Sequence, residues 1–294
     1  MTRFIDEHRE RLGVGPICRE LEVSQSAYYR RRRAPARPRA RRDVALTERI
    51  RAAHEGSDGT YGAWRIWKHL NREDVPIARC TVERLMRAEG LQGVIKGQAR
   101  RTTTPGRSAI PAADLVRRQF TADRPDALWV ADFTFIRTWQ GWAYLALVID
   151  VHTRMIVGWQ LAPHMRQALV DDALAMAIEL RPDRDPNLIH HGDNGSQYTS
   201  WAYTQRMVDA GIRPSRGRTG TALDNALAES VIATIKTELT ARRPWRSRFD
   251  LELAVAGYIG WYNHGRIHRG LGGRTPAEVD YDYRSTLTAQ TTKL

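Results

Sequence analysis

Residues 128–161 read LWVADFTFIRTWQGWAYLALVIDVHTRMIVGWQL and have the strongest strand pattern of the chain. Leu128–Ile136 alternates, Trp142–Val151 is a long apolar run, and Met155–Leu161 is rich in β-branched and aromatic residues. Runs of this kind, separated by turn-like residues, predict three strands in an antiparallel meander. The tryptophans of these strands are predicted to be core residues rather than base-stacking ones: Trp129, Trp139, Trp142 and Trp159.

Beyond the meander, the pattern alternates between helix and short strand. Helices are predicted at Arg166–Leu180, Ser200–Ala210, Asp224–Leu239 and Asp250–Tyr262, and short strands at Leu188–His190 and Ile212–Ser215. Strands followed by alternating helices and strands indicate an α/β class (α+β mixed), with helices on both faces of a mixed five-stranded sheet.

Two groups of short helices are predicted before the meander. Phe4–Arg11, Pro16–Leu21 and Gln25–Arg33 form the first group, and Thr47–Glu55, Tyr61–Glu73 and Arg79–Glu89 form the second. Each group has the pattern of a helix-turn-helix. The predicted organisation is therefore a helix-turn-helix at 1–33, a basic Arg/Pro linker at 34–42, a second helix-turn-helix-like domain at 43–93, a linker at 94–118, a catalytic core with a C-terminal helix at 119–280, and a tail at 281–294.

The positive charge is concentrated in the helical part of the chain. Residues 1–118 hold 26 Lys and Arg against 14 Asp and Glu, whereas residues 119–294 hold 20 against 19. Such asymmetry is typical of a polyanion-binding region attached to a more neutral domain, although a solvated basic surface has the same composition. The charged amino terminus and the short apolar runs predict a cytoplasmic protein, associated with the nucleoid, that has no membrane segment.

Three carboxylates are the candidate catalytic residues. Asp132 lies inside the first predicted strand, Asp193 follows a short strand, and Glu229 lies on a long helix. Two carboxylates on neighbouring strands and a third on a helix can hold two divalent cations, and oxygen ligands favour Mg²⁺ or Mn²⁺. Taken singly, each is more simply a capping or surface carboxylate. Thirty-five residues separate Asp193 from Glu229, and Lys236 lies two helical turns after Glu229, on the same face.

The motifs that surround these residues resemble one family. They are YGAWRI at Tyr61–Ile66, WVADFTFI at Trp129–Ile136, HGDNGSQYTS at His191–Ser200, LDNALAESVIATIKTEL at Leu223–Leu239 and WYNHGRIHRGLGGRTPAE at Trp261–Glu278. The chain resembles, over almost its whole length, the catalytic (OrfB-type, second-reading-frame) product of a bacterial insertion sequence, a member of the retroviral-integrase-like DDE transposases. Two departures are Ala63-Trp64 before Arg65, where a basic residue is expected, and Gly192, where Ser or Thr is common.

The resemblance implies a function and a fold. The core is expected to be ribonuclease-H-like, with Asp132, Asp193 and Glu229 as ligands of two Mg²⁺ or Mn²⁺ ions. The protein is expected to cut and join double-stranded DNA at the terminal inverted repeats of a mobile element. A homodimer or higher oligomer on DNA is implied, and an upstream-frame (OrfA-type) product is a further partner to consider. Retroviral integrases carry a His/Cys zinc module, but this chain lacks such a ligand set, so zinc is not expected.

Candidate DNA contacts come from the basic helices and from the surroundings of the carboxylates. They are Tyr28, Arg30, Arg31, Tyr61, Arg65, Arg79, Arg84, Arg216, Arg218, Asn225 and Lys236. Lys236 could hold a phosphate as a point charge. Ser215–Leu223 is hypothesised to order over the substrate. His190 and His191 are expected to pack or hydrogen-bond rather than bind metal, and the 261–274 stretch could contact DNA or another protomer, or be a solvated helix end.

Two other functions remain open on the residues alone. A transposase-derived DNA-binding regulator without catalysis would retain the basic helical half but would not need the three carboxylates. A structure-specific nuclease of the same fold would need the carboxylates but would not explain two helix-turn-helix candidates.

Overall fold

The computed structural model describes residues 2–33, 38–95, 115–116, 120–192, 198, 200–216 and 226–291. Three of the predicted site residues, Asp193, Arg218 and Asn225, lie outside these ranges, as does most of Ser215–Leu223. The chain divides into two compact units, residues 1–52 and residues 53–294. Within the described residues, no helix is both long enough and apolar enough to cross a membrane.

The first unit is helical. It contains α1 (Thr2–Leu12), α2 (Val14–Glu20) and α3 (Gln25–Arg33), which agree with the three predicted helices to within a few residues. Its buried cluster contains one apolar side chain from α1, two from α2 and one from α3: Ile5, Ile17, Cys18 and Tyr28. This small core explains why three helices of low individual stability pack together.

A long helix, α4 (Pro38–Gly56), spans the boundary between the units. It begins inside the interval 34–42, which was predicted to be a linker. Residues 38–42 are therefore helical, and this corrects the predicted boundary. The physical reason is that arginine and alanine are good helix formers, and proline is well tolerated at the first helical position.

The second unit opens with a pair of amphipathic helices, α5 (Ala63–Arg72) and α6 (Arg79–Ala88). Their apolar faces are buried through Ile66 and Leu70 on α5 and through Val82, Leu85 and Met86 on α6. These spacings of three and four residues are those of one helix face.

A mixed five-stranded sheet forms the centre of the second unit. Its strands are β1 (Leu128–Thr138), β2 (Gly141–Asp150), β3 (Ile156–Ala162), β4 (Ile189–Gly192) and β5 (Arg213–Arg216), in the order β3-β2-β1-β4-β5. β1, β2 and β3 are antiparallel neighbours, whereas β4 runs parallel to β1 and β5 runs parallel to β4. The predicted meander and the mixed five-stranded sheet are confirmed.

Helices cover both faces of the sheet. The helices that follow the meander are α7 (Gln167–Leu180), α8 (Trp201–Asp209), α9 (Ala226–Ile235), α10 (Arg248–His264) and α11 (Pro276–Thr291); a π-helical segment, Lys236–Thr240, continues α9, and a 3₁₀ turn, Arg269–Leu271, precedes α11. Trp129 and Ala131 of β1 pack in the cluster that contains α7 and α8. Leu128, Val130 and Ile136 pack in the cluster that contains α9 and α10. The alternation of β1 therefore sets which helix each side chain meets.

The close approach of α7 to the sheet depends on Gly158 of β3. A Cβ at this position would lie 2.2 Å from the Ala173 backbone oxygen and 2.8 Å from the Ala177 Cβ. The small residues of α7 and the missing side chain of Gly158 together bring helix and strand into contact.

Two sequence predictions differ from the structure in this unit. Residues 281–291 were predicted as a tail but belong to α11, which is held by ion pairs from Arg181 to Asp280 (2.9 Å) and from Arg284 to Asp126 (2.7 Å). Trp129 is buried as predicted, but Trp139 and Trp142 are 70% and 48% exposed, because they lie at the end of the β1–β2 hairpin.

Candidate active site

Asp132 lies in β1, the central strand of the sheet. Among the described residues, β4 pairs with β1 from Leu128 to Val130; Asp132 lies two residues further along β1, and its side chain is half-buried. Its Oδ1 accepts a hydrogen bond of 2.8 Å from the backbone N–H of Phe133. Asp132 shares the strand parity of Val130 and Ile136, which pack against α9 and α10. This carboxylate therefore lies on the face of the sheet that α9 and α10 cover.

Glu229 is carried by the helix on that side. It lies in the first turn of α9 and is exposed, whereas Ala228, Val231 and Ile232 of the same helix are buried in the cluster that includes β1. The apolar positions fix the helix on the sheet, and the glutamate is left accessible at its amino-terminal end.

Lys236 is electrostatically coupled to Asp132. Burial lowers the pKa of Lys236 below its ordinary value, and the negative charge of Asp132 acts in the opposite direction. The ammonium Nζ lies 5.2 Å from the centroid of the Phe135 ring, on the same strand as Asp132. The structure thus brings the predicted lysine to the predicted aspartate.

β4 ends at Gly192, and the next residue, Asp193, lies outside the described residues. Before it, a Cβ on Gly192 would lie 3.1 Å from the ring of Tyr198, so the glycine allows the buried tyrosine to pack closely. After it, the buried guanidinium of Arg216 donates to the Tyr198 carbonyl (3.2 Å) and to Thr204 Oγ1 (3.0 Å). Arg216, predicted as a DNA contact, holds β5 to the residues that flank Asp193; burial lowers its pKa.

Two neighbouring histidines of β4 are internal hydrogen-bonding residues, as predicted. His190 is buried and its Nε2 lies 3.2 Å from the Tyr203 hydroxyl, while His191 Nδ1 lies 3.0 Å from Ser215 Oγ. Burial lowers the pKa of His190 to about 4, so its ring is neutral at physiological pH.

A buried ionic cluster forms around Glu238, two residues after Lys236, and was not predicted from the sequence. Glu238, in the π-helical segment, accepts two hydrogen bonds from Arg266 (Nε, 2.7 Å; Nη2, 2.6 Å), one from the Tyr258 hydroxyl (2.8 Å) and one from Arg65 (3.4 Å). Burial raises the pKa of Glu238, but the hydrogen bonds and charge of Arg266 and Arg65 outweigh this and hold it below its ordinary value. We call Glu238, Arg65, Tyr258 and Arg266 the Glu238 cluster.

Two predicted DNA contacts, Tyr61 and Arg65, and part of the 261–274 stretch make internal contacts in or beside the Glu238 cluster. Tyr61 is buried; its hydroxyl accepts from the Ile267 N–H (2.7 Å) and donates to the Gly265 carbonyl (3.1 Å). Arg65 is ion-paired with Glu238. The YGAWRI motif therefore packs against the loop after α10, which joins α5 to the active-site side of the sheet.

The other predicted DNA contacts differ in their accessibility. Tyr28 is a core residue of the first unit and its hydroxyl donates to Asp6 Oδ1 (2.7 Å). Arg30 on α3 is exposed, and the side chain of Arg31 lies outside the described part of the chain. Arg79 and Arg84 are exposed on α6, where Arg79 forms an ion pair with Glu83 (2.8 Å).

The donor atoms present suit a hard divalent cation. Asp132 and Glu229 offer accessible carboxylate oxygens at one side of the sheet, and oxygen donors of this kind fit Mg²⁺ or Mn²⁺. In the ranges that the structure describes, which exclude Asp193, no cluster of three or more metal-ligating side chains occurs.

Three family profiles match the chain. An integrase core domain matches residues 122–222, a second integrase core domain profile matches residues 210–276, and an HTH-like domain matches residues 41–99. The sheet, the helices α7 to α10 and Asp132 lie in the integrase-core matches. The chain thus consists of an integrase-type core, of the predicted ribonuclease-H-like fold class, preceded by an HTH-like helical domain.

Full-length relatives define the family. The chain is 43% identical to the transposase for insertion sequence element IS629 of Shigella sonnei, over 98% of each chain. It is 44% identical to a putative transposase for IS986/IS6110 of Mycobacterium tuberculosis, over 90% of this chain and 96% of the relative. It is 32% identical to the transposase InsF for IS3A of Escherichia coli K12, over 94% and 97%. The protein belongs to the family of insertion-sequence transposases.

Solved structures of retroviral integrases are also similar. The HTLV-2 integrase catalytic core domain in complex with magnesium covers 54% of this chain and 98% of its own, at 16% identity and a TM-score of 0.42. The catalytic core domain of BIV integrase covers 55% and 99%, at 20% identity and a TM-score of 0.41.

Proposed function

We propose that this transposase binds the terminal inverted repeats of a mobile element and catalyses DNA strand cleavage and strand transfer with two divalent metal ions. Asp132, Asp193 and Glu229 are the proposed metal ligands. The single observation that carries the proposal is that Asp132, Lys236 and the helix with Glu229 lie on one face of the sheet, within a chain of the transposase family.

The strand register supports the inclusion of Asp193. Val130 lies opposite His191 in the parallel pairing of β1 with β4. In the sequence, Asp132 follows Val130 by two residues and Asp193 follows His191 by two residues. Parallel neighbours end at the same side of a sheet, which is where ligand-binding side chains of α/β sheets gather.

Each residue has a proposed role in phosphoryl transfer. The three carboxylates would hold Mg²⁺ or Mn²⁺ through oxygen atoms, and the bound ions would activate a water or a DNA 3′-hydroxyl and stabilise the leaving oxygen. Lys236 would hold a phosphate of the DNA strand, because a compact ammonium group acts as a point charge. Arg216 would fix the residues around Asp193 rather than touch DNA, given its buried contacts.

The basic helices are the proposed DNA-binding part. Arg30, Arg79 and Arg84 are exposed on helices of the strongly basic half of the chain and can reach phosphates or bases. Arg31, Arg218 and Asn225 remain predicted contacts. Tyr28, Tyr61 and Arg65 are not carried into this proposal, because the first two are buried and the third is ion-paired within the protein. Assembly as a dimer or higher oligomer on DNA, an OrfA-type partner and a cytoplasmic, nucleoid-associated location are also proposed.

The experiment that tests this function compares DNA substrates. Purified protein is incubated with Mg²⁺ and labelled duplex DNA that carries the end of the element, and the products are resolved by size. Cleavage at the end followed by joining to a second duplex supports the transposase. Cleavage of a junction or RNA–DNA hybrid without joining would favour a nuclease, and specific end binding without any cleavage would favour a regulator.

A further inference from the structure

Three aromatic side chains are exposed on the β1–β2 hairpin. Phe135, Trp142 and Trp139 are 47%, 48% and 70% accessible, although the alternating pattern of the strands predicted a core position for both tryptophans. β1 and β2 extend here beyond the apolar cluster that α7 and α8 cover. Large exposed aromatic groups that lie together mark a binding surface more often than a chance exposure.

Two arginines lie close to two of these rings. Phe135 and Trp142 meet edge to face with centroids 5.2 Å apart. The Arg137 guanidinium lies 5.8 Å from the centroid of Trp142, and the Arg246 guanidinium lies 5.8 Å from the centroid of Trp139. We call these five residues the hairpin strip. Within the described ranges, neither arginine of the strip forms an ion pair with a carboxylate.

Lys236 connects the strip to the proposed active site. Phe135 follows Asp132 by three residues, so the two side chains leave β1 on opposite faces; the Lys236 ammonium lies 5.2 Å from the Phe135 ring while it also responds to the Asp132 charge. At about 3.3 Å per strand residue, the six steps from Asp132 to Thr138 cover roughly 20 Å. This distance corresponds to about six stacked nucleotides of one DNA strand at about 3.4 Å each.

A cavity adjoins the strip. It has a volume of about 510 Å³ and is lined in part by Thr138, Gln140, Trp142 and Arg248. An aromatic wall with polar groups beside it is a suitable environment for a nucleobase that has left its duplex.

We propose that the hairpin strip binds single-stranded DNA, namely the unpaired nucleotides next to the phosphodiester that reacts at Asp132. Bases stack on Trp139 and Trp142, and Arg137 and Arg246 meet the phosphates. Base faces are accessible to side chains only when the bases are unpaired and unstacked, which is why the exposed rings select a single strand over a duplex. The inference rests on the proposed function for its location beside the reacting strand.

Charge favours DNA over a second copy of the chain as the occupant. A symmetric contact of the strip with itself would bring Arg137 and Arg246 against the same residues of the other copy. The chain carries a formal net charge of +13, so a polyanion is the complementary partner.

The test measures the affinity of the full-length protein for a fluorescent oligo-dT of about ten nucleotides, by anisotropy, in an Asp132→Asn background that prevents cleavage. Trp139→Ala and Arg137→Ala are the test variants. Tyr281→Ala on α11, which removes a ring that is 71% exposed, and Arg213→Ala, at the far end of β5 from Gly192, are the matched controls. Each variant is also measured with a duplex of the same length and for its thermal midpoint, to show that it is folded.

Trp139→Ala is expected to weaken oligo-dT binding by about fivefold or more with little change for the duplex, because loss of one stacking ring has an effect of this size. Trp139→Phe should retain most of the affinity, and both controls should match the parent. Unchanged oligo-dT binding in Trp139→Ala and Arg137→Ala would overturn the inference, as would equal losses for duplex and single strand. A change of oligomeric state in Trp139→Ala without loss of oligo-dT affinity would also overturn it and assign the strip to contact between copies.

The two proposals fail separately in these assays. Binding of oligo-dT is measured without catalysis, so it reports on the strip alone. Cleavage and joining of end DNA by the parent with intact Asp132 reports on the proposed function alone.

Discussion

At the residue scale, Lys236 lies near Asp132, as its spacing in the sequence predicted. The sequence places it two helical turns after Glu229, and the structure adds its coupling to Asp132 and its position over Phe135. Sequence reasoning could find this residue because helical periodicity survives folding. It could not find the burial of Tyr28 or Tyr61, because a tyrosine on a helix or after a turn looks the same whether it meets DNA or a protein core.

Replacement of Lys236 should weaken DNA binding through the loss of one phosphate contact. We expect Lys236→Met to lower the affinity for end DNA and to reduce the slope of log affinity against log salt by about one, because each neutralised phosphate contributes roughly one unit. Lys236→Arg should retain the slope. Lys68→Met on α5 is the matched control. A Lys236→Met slope equal to that of the parent would show that the lysine does not meet a phosphate.

At the element scale, the π-helical segment after α9 is the feature with the clearest energetic basis. A wider turn at Lys236–Thr240 turns Glu238 inward, where Arg266, Tyr258 and Arg65 satisfy its oxygens. The cluster joins four separated segments, so it fixes the end of the helix that carries Glu229 and Lys236. Helix α9 was predictable from its pattern, but the π-helical turn was not, because it depends on partners that are distant in sequence.

Disruption of the Glu238 cluster should destabilise the second unit. We expect Glu238→Gln to lower the free energy of unfolding by about 3–5 kcal/mol, because it leaves the buried Arg266 without its counter-charge. Tyr258→Phe should lower the free energy of unfolding by less, about 1–3 kcal/mol, since one hydrogen bond to a charged group is lost.

Urea unfolding monitored by tryptophan fluorescence measures both changes in the Glu238 cluster. Glu252→Gln, at an exposed position of α10, is the control and should unfold like the parent. A Glu238→Gln protein as stable as the control would show that the cluster is not a stabilising contact.

At the scale of the whole molecule, the arrangement of the sheet could be predicted further than the ends of the domains. The apolar runs at Leu128–Ile136 and Trp142–Val151 predicted strands close to the observed β1 and β2. The local pattern of these residues and their burial in the core both favour strands. The predicted tail at 281–294 was wrong over 281–291, where α11 continues with exposed and half-buried residues and is joined to the rest of the unit by ion pairs of Asp280 with Arg181 and of Arg284 with Asp126. Long-range charge pairing leaves no periodic signal.

The whole fold should lose stability in mild acid through buried neutral histidines. Burial and the charge of Arg266 lower the pKa of His268 to about 3, whereas the unfolded chain titrates near the ordinary value of 6.5. Below pH 6.5 the unfolded chain therefore binds a proton that the folded chain does not, so the free energy of unfolding falls by up to about 1.4 kcal/mol per pH unit for this histidine. His190 adds a similar contribution.

Urea unfolding between pH 7.5 and pH 5 measures this loss. His268→Asn should show a smaller slope with pH than the parent, and His264→Asn, at an exposed position, should retain the parental slope. Equal slopes in His268→Asn and the parent would mean that His268 is not held neutral in the folded protein.

Mg²⁺-dependent cleavage and joining of end DNA by three charge-neutralised variants tests whether the carboxylate triad is the catalytic centre. Asp132→Asn, Asp193→Asn and Glu229→Gln should each lower the rate of both steps by about 10²-fold or more while end-DNA binding persists, because each removes a ligand from a site that supplies several kcal/mol of transition-state stabilisation. Asp209→Asn, at the end of α8, which packs on the opposite face of the sheet from α9, should act like the parent. Parental rates in any one of the three variants would contradict the assignment of that carboxylate, and parental rates in all three would contradict the triad as the catalytic centre.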